Sequence, residues 1–249
     1  MFPLINIAGT TLSTYALMAL VGALVAGSFA EHQSVKKGVH PFYMIELLLF
    51  GVIGVFLGGH LLFGLVHLNE LKYGLAHVFG GQVFYGGMLG GVLTGWIVLK
   101  KKGYPKYPYY DIVGCTIPLF HCFARIGCFL AGCCYGIESE IGFTFTESMV
   151  EGANHVCRFP VQLLESALNL ALFFVLYILF KKEKFKEKLL YVYLASYAVI
   201  RFCLEFLRGD DALRGVWFGF STSQWISLIL FVAAVIFCAR GAKKKPAAE

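Results

Sequence analysis

Charge is scarce in this chain. Asp, Glu, Lys and Arg make up 14% of its 249 residues, against 58% hydrophobic residues. Soluble domains average about 25% charged and about 45–50% apolar residues. A soluble globular fold is therefore excluded, and a polytopic membrane protein is expected. Proline is sparse as well, with seven residues. No stretch is long or polar enough for a disordered linker, so the expectation is one integral domain, 1–249, with short loops and no internal repeat. The start lacks the basic n-region of a cleavable signal, and its first apolar run outlasts a typical h-region. Among eight cysteines there is no C-x-x-C pair and no metal-ligand spacing, so no metal site is read from the sequence. The net charge of +6 sits in clusters beside apolar spans. That pattern sets membrane topology and does not mark a nucleic-acid surface.

What the chain has instead is long apolar runs. At about 17–25 residues per crossing the fold class is all-α, a polytopic membrane helix bundle. About seven transmembrane helices are expected, near 12–30, 42–67, 83–99, 110–131, 160–180, 189–208 and 222–240. The lysines alternate between the connecting segments. Lys36 and Lys37, "KKKGYPKYP" (100–108), "KKEKFKEK" (181–188) and the tail "RGAKKKP" lie on one side. The segments 68–82, 132–159 and 209–221 are poor in lysine. The positive-inside rule then predicts an N-terminus outside, a C-terminus in the cytoplasm, and an extracytoplasmic loop at 132–159.

On that map the unexpected polar residues share one side. Arg125, Glu165, Arg201, Glu205, Arg208, His60, His67, Tyr85 and Tyr15 all fall at the outer ends of spans. Arg201 and Glu205 stand four apart and so share a helix face. Taken singly, Arg208 can snorkel, Arg201–Glu205 can be a structural ion pair, and Tyr15 can belong to an aromatic belt. Together they read as a polar cavity open to the outer leaflet, because ionisable groups inside a membrane mark function. Its positive excess suits an anionic headgroup, since arginine grips phosphate with a two-pronged fork. Glu46, in the inner half of the second span, has no obvious partner. The glycine-rich stretches 51–60 and 79–91 suit close helix packing, and the second can also let backbone line a cavity.

Four motifs carry a resemblance: "HCFARIGCFLAGCCYG", "RFPVQLLESALN", "IRFCLEFLR" and "FYGGMLGG", with "STYALMALVG" in the first span. Their order and spacing resemble the bacterial prolipoprotein diacylglyceryl transferases across most of the chain. The resemblance implies transfer of diacylglyceryl from phosphatidylglycerol to the cysteine thiol of a lipoprotein precursor, with glycerol phosphate released. It implies a multi-pass protein of the bacterial cytoplasmic membrane and no metal or organic cofactor. Within the family pattern G-R-x-G-N-F-x-N-x-E-x-x-G, this chain keeps Arg125, Gly127, Phe129 and Gly136. Pro160, Gln162 and Glu165 match H-P-S-Q-x-x-E, and Arg201 and Glu205, with Arg208 following, match the pair in span six. Tyr15 matches the first-span tyrosine. Tyr85 replaces the histidine of F-H-G-G; Cys128, Ala131 and Cys133 replace two asparagines and the glutamate; Val161 replaces the serine. This is the pattern of a divergent member, in which the donor is a firmer expectation than the acceptor.

The chemistry implied places Arg125 and Arg201, with Arg208 as a third group, on the phosphate. Tyr85 and Glu205 stand near the reacting centre. Tyr15, Gly127, Gly136, Gln162 and Glu165 line the substrate. The thiol nucleophile needs a base. Tyr85 is a poor one unless arginines depress it, and Glu165, Glu205, His60 and His121 remain alternatives. Cys128 and Cys133, beside Arg125, are candidate nucleophiles. A loop disulfide from Cys133 or Cys134 to Cys157 is a further option. Two other functions stay open: a lipid or anionic-solute transporter, and a membrane thiol oxidoreductase. Transporters want polar residues on both sides, and the oxidoreductase wants cooperating cysteine pairs.

Overall fold

The computed structural model describes residues 2–7, 9–68, 81, 84–104, 106–148, 150–209 and 216–240. Among the described residues seven helices dominate: α1 (Thr14–Lys36), α2 (Pro41–Val66), α3 (Phe84–Lys102), α4 (Lys106–Ala131), α5 (Val161–Lys181), α6 (Leu189–Leu204) and α7 (Thr222–Arg240). Six of them are long and apolar enough to cross a membrane. The other is α3, whose glycines and three terminal lysines dilute its hydropathy. Short antiparallel pairs join helix ends: β1 (Leu4–Ile7) with β2 (Thr10–Ser13), β3 (Glu138–Thr144) with β4 (Cys157–Arg158), and β5 (Val216–Trp217) with β6 (Phe220–Ser221). These strands were not expected from the apolar runs. They are short, and the last pair turns through Phe218 and Gly219, both at positive φ, as a two-residue hairpin turn requires.

The chain divides into two compact units, Ala30–Tyr109 and the combination of Met1–Phe29 with Tyr110–Glu249. In the first, α2 and α3 pack through glycines four residues apart. A side chain on Gly58 would collide with the Gly86 carbonyl, and one on Gly90 with the Gly54 carbonyl. Thr94 extends the same stripe and returns its hydroxyl to the Gly90 carbonyl at 2.9 Å. Small residues let membrane helices approach to backbone contact, where dispersion replaces the missing hydrophobic drive. Glu46 does have partners, supplied from the last residue of α3 and from just beyond it. Lys102 Nζ lies 2.9 Å from its carboxylate, and the Tyr104 hydroxyl donates to it at 3.0 Å.

In the second unit α4 is the most enclosed candidate span, with 67% of its apolar window buried. Gly22 of α1 meets Phe123 of α4, and Gly114 of α4 meets the backbone at Leu189 and Leu190. Asp111, buried in α4, accepts the amides of Glu187 (2.9 Å) and Leu189 (3.1 Å). It thereby ties down the turn that starts α6 and satisfies amides that a helix start leaves orphaned. The segment 132–159 is folded over a small core of Phe129, Tyr135, Phe145 and Ala153, with Leu130, Val150 and Leu163 against it. Ser148 donates its hydroxyl to the Gly132 carbonyl at 2.9 Å.

Candidate active site

Glu165 is the centre of the second unit's polar cluster. One turn into α5, it is 2% exposed. Its Oε1 lies 3.1 Å from Arg125 Nε of α4 and accepts the Tyr197 hydroxyl of α6 at 2.9 Å. His121 Nε2 stands 3.9 Å from the same oxygen. Its Oε2 faces Arg201 Nη1 at 4.0 Å. One carboxylate therefore anchors arginines from two helices.

Arg201 reaches a second carboxylate. Its Nη2 is 2.7 Å from Glu205 Oε2 and donates to Ser223 Oγ at 3.3 Å. Glu205, buried at the 3-10 turn Glu205–Leu207 that extends α6, accepts the Ser221 hydroxyl at 2.7 Å. Ser221 and Gln224 bond reciprocally at the start of α7: the Ser221 amide donates to Gln224 Oε1 at 2.9 Å, and the Gln224 amide to Ser221 Oγ at 3.2 Å. This is the S-x-x-Q capping box, written plainly as "STSQ" at 221–224. The start of α7 is thus fastened to the Arg201–Glu205 pair.

Three strands of backbone fix the rest. Gly136 bridges to Arg208, the Ile137 amide donates to the Leu207 carbonyl at 3.0 Å, and the Gly209 amide to the Tyr135 carbonyl at 3.0 Å. A side chain at Gly136 would strike the Phe159 carbonyl, so glycine is required there for close approach. Arg158 crosses beneath, donating to the Gly136 carbonyl at 3.3 Å and the Gly152 carbonyl at 2.7 Å. Its guanidinium lies 4.4 Å over the Tyr135 ring. Gln162, fully buried, donates to the Cys133 carbonyl at 2.8 Å. Gly127 lets Tyr15 of α1 approach α4, since a side chain there would sit 3.2 Å from Tyr15 Cα.

The thiols gather beside Arg125. Its Nη1 is 3.9 Å from Cys128 Sγ, and Cys133 Sγ donates to the Cys128 carbonyl at 3.7 Å. The thiols of Cys128, Cys133 and Cys134 lie within 4.8 Å of one another. Hydrogen bonds from Cys128 and Cys133, helped by the charges of Arg125 and Arg208, hold the Cys134 thiol well below the usual thiol range. The bond to Cys128 pushes Cys133 the other way. All eight cysteines are free, so the optional disulfide to Cys157 is not formed.

The structure brings together Arg125, Glu165, Arg201 and Glu205, and sets Gly127, Gly136, Gln162, Arg208, Cys128, Cys133 and Tyr15 in the same unit. Glu165 and Glu205 are both engaged by arginine, which makes each an anchor for the cations. Tyr85 falls in the first turn of α3, and its side chain lies outside the described residues. His60 and His67 belong to the other unit, where His67 stacks on Phe63 at 4.0 Å and shares a 2.9 Å hydrogen bond with its carbonyl. Sequence reasoning missed Tyr197, Ser221, Ser223, Gln224 and Arg158, and read Cys134 only as a candidate disulfide partner. Tyr193, Tyr197, Arg201 and Glu205 recur every fourth residue, and that single helix face was the available signal for Tyr197.

Long apolar helices that enclose buried arginine–carboxylate pairs define a multi-pass membrane protein. The family profile of prolipoprotein diacylglyceryl transferase matches residues 3–240. The chain belongs to that family. It is 34% identical over 238 residues to the phosphatidylglycerol–prolipoprotein diacylglyceryl transferase of Clostridium tetani, covering 93% of this chain and 94% of the relative. It is 30% identical to the enzyme numbered 2 in Clostridium perfringens, over 93% and 91%. A Neisseria meningitidis serogroup C relative of the same name is 29% identical over 97% and 96%.

Proposed function

We propose that the chain is a phosphatidylglycerol-dependent transferase that moves diacylglyceryl to the thiol of a lipoprotein-precursor cysteine. The observation that carries this is the convergence of Arg125 and Arg201 on Glu165, 3.1 and 4.0 Å away. Glu165 and Glu205 hold the guanidiniums of Arg125 and Arg201 in place, and positioned guanidiniums take a phosphate in a two-pronged fork. A phosphate diester fits. The arginines take up negative charge as the bond between glycerol carbon and phosphate oxygen breaks. The acceptor sulfur forms the new C–S bond, the thiol proton passes to a base, and glycerol phosphate leaves. Glu165 and Glu205 position the guanidiniums. Tyr85 stands where the family carries histidine, and Gly127, Gly136, Gln162 and Tyr15 shape the donor's seat. The relatives named above are transferases, which supports this reading over transport or thiol oxidation.

The same reading places the protein in the bacterial cytoplasmic membrane with α3 as a seventh crossing. The lysines at 100–102 then mark its cytoplasmic end, the N-terminus lies outside, the C-terminus inside, and the 132–159 segment faces the exterior. The chain works as one integral domain without metal or organic cofactor in the transfer step.

The test is direct. Purified protein is incubated with phosphatidylglycerol vesicles and a lipobox peptide bearing a free cysteine, and mass spectrometry seeks the diacylglyceryl thioether. Thioether that disappears in Arg125→Ala is the expected result. Glycerol phosphate without thioether would keep the donor and replace the acceptor. Neither product from folded protein would overturn the reading.

A further inference from the structure

Cys128 lies in the last turn of α4, and Cys133 and Cys134 follow after a turn through Gly132, at φ 75°. The spacing C-x-x-x-x-C-C matches no familiar ligand pattern. The turn nevertheless brings back what the sequence separates. The Cys133 amide donates to the Cys128 carbonyl at 3.1 Å, and Cys134 adopts a left-handed backbone, φ 55°. Three sulfurs then fall within 4.8 Å of one another, one buried and two half-buried. None is in a disulfide.

We propose that Cys128, Cys133 and Cys134 form a three-sulfur binding site for a thiophilic d10 cation, Zn(II) or Cu(I) in class. Zn–S bonds of about 2.3 Å set sulfurs about 3.8–4.0 Å apart around a common metal, which fits inside the observed spread. Soft thiolates select such ions over Mg(II) and Ca(II). Charge also fits. Binding releases to water the protons the thiols still carry, and three thiolates with a divalent ion leave one net negative charge. The Arg125 guanidinium, 3.9 Å from Cys128 Sγ, neutralises it. Three protein sulfurs leave a fourth position open. The site stands on the thiols alone and does not depend on the transferase reading.

The test uses the whole protein in detergent, reduced with a phosphine and kept from air. Titration with Cd(II) gives a sulfur-to-metal charge-transfer absorption that saturates at one equivalent, appears more slowly when Zn(II) already occupies the site, and is untouched by excess Mg(II). Cys128→Ser and Cys133→Ser each weaken binding by more than the roughly 10–100-fold typical of a lost outer-shell partner. Cys157→Ser and Cys238→Ser leave the titration unchanged. Should the serine variants not fold, wild-type protein serves: Zn(II) protects Cys128, Cys133 and Cys134 together from maleimide, read by peptide mass spectrometry. No charge-transfer band, a band that survives Cys128→Ser and Cys133→Ser, or protection no greater than at Cys157 overturns the proposal.

Discussion

Replacing Glu165 by glutamine removes one negative charge and almost no volume. The side chain is 3% exposed and its nearest cation, Arg125, is 11% exposed. Arg125 then keeps a buried charge with no carboxylate at 3.1 Å, while Arg201 retains Glu205 at 2.7 Å. Breaking a buried pair from one side costs about 3–5 kcal/mol, because the orphaned ion stays desolvated. At roughly 2–4 °C per kcal/mol for a chain of this size, Glu165→Gln lowers Tm by about 6–20 °C. Arg125→Met alone costs less, since Glu165 keeps the Tyr197 hydroxyl and Arg201. In the double variant both charges are gone, and the loss falls well short of the sum of the singles. A double-mutant cycle of thermal melts in detergent measures this, with coupling of at least about 1 kcal/mol expected for groups in contact. An unchanged Tm in Glu165→Gln, or strict additivity in the cycle, would refute the view that one carboxylate anchors the arginines.

Arg125→Lys does not restore the transfer lost in Arg125→Ala, because a point charge cannot hold Glu165 and a phosphate together; thioether yield falls about 10²–10³-fold, the range for a lost transition-state donor. Gly58→Leu forces α2 from the Gly86 backbone and destabilises by at least the roughly 1–3 kcal/mol of overpacking, read as a lower Tm. Asp111→Ala strands the amides of Glu187 and Leu189; at about 1–3 kcal/mol per buried unmade bond it opens the 182–188 turn to protease, and Asp111→Asn keeps part of the protection. Tyr197→Phe removes a single hydrogen bond to Glu165, costs about 1.5–3 kcal/mol for a bond to a charged acceptor, and lowers Tm less than Glu165→Gln does.

The helices were legible because a membrane imposes one rule everywhere: about 20 apolar residues, with charge at the ends. Arg125, Glu165, Arg201 and Glu205 were legible for the same reason, since each breaks that rule. What sequence could not supply was pairing. Glu46 read as isolated, and its partners Lys102 and Tyr104 come from 56 and 58 residues away. Asp111, near the start of an apolar run, carries no sign in the sequence of an acceptor role that depends on a turn beginning 71 residues later at Lys182. The hairpins are too short, at two to seven residues, to alternate against a long apolar background. The thiol cluster was hidden differently. Ligand spacings presume a regular turn, and here a left-handed Cys134 after Gly132 makes one that no spacing rule describes.

The same turn bears on how the arginines are held. The family pattern places asparagine at 128 and glutamate at 133, and this chain has cysteine at both. A carboxylate at 133 would be a third acceptor in the cluster. With Cys133 donating to the Cys128 carbonyl instead, Glu165 is the one carboxylate paired with Arg125 among the described residues, and the cluster holds one negative charge fewer. Anion binding then strengthens while the orientation of Arg125 rests on fewer contacts. Restoring glutamate by Cys133→Glu therefore weakens donor binding and stabilises the fold. A KM for phosphatidylglycerol that rises while Tm also rises would separate this account from one in which the thiols merely fill space, because a filler exchanged for a charged side chain lowers Tm.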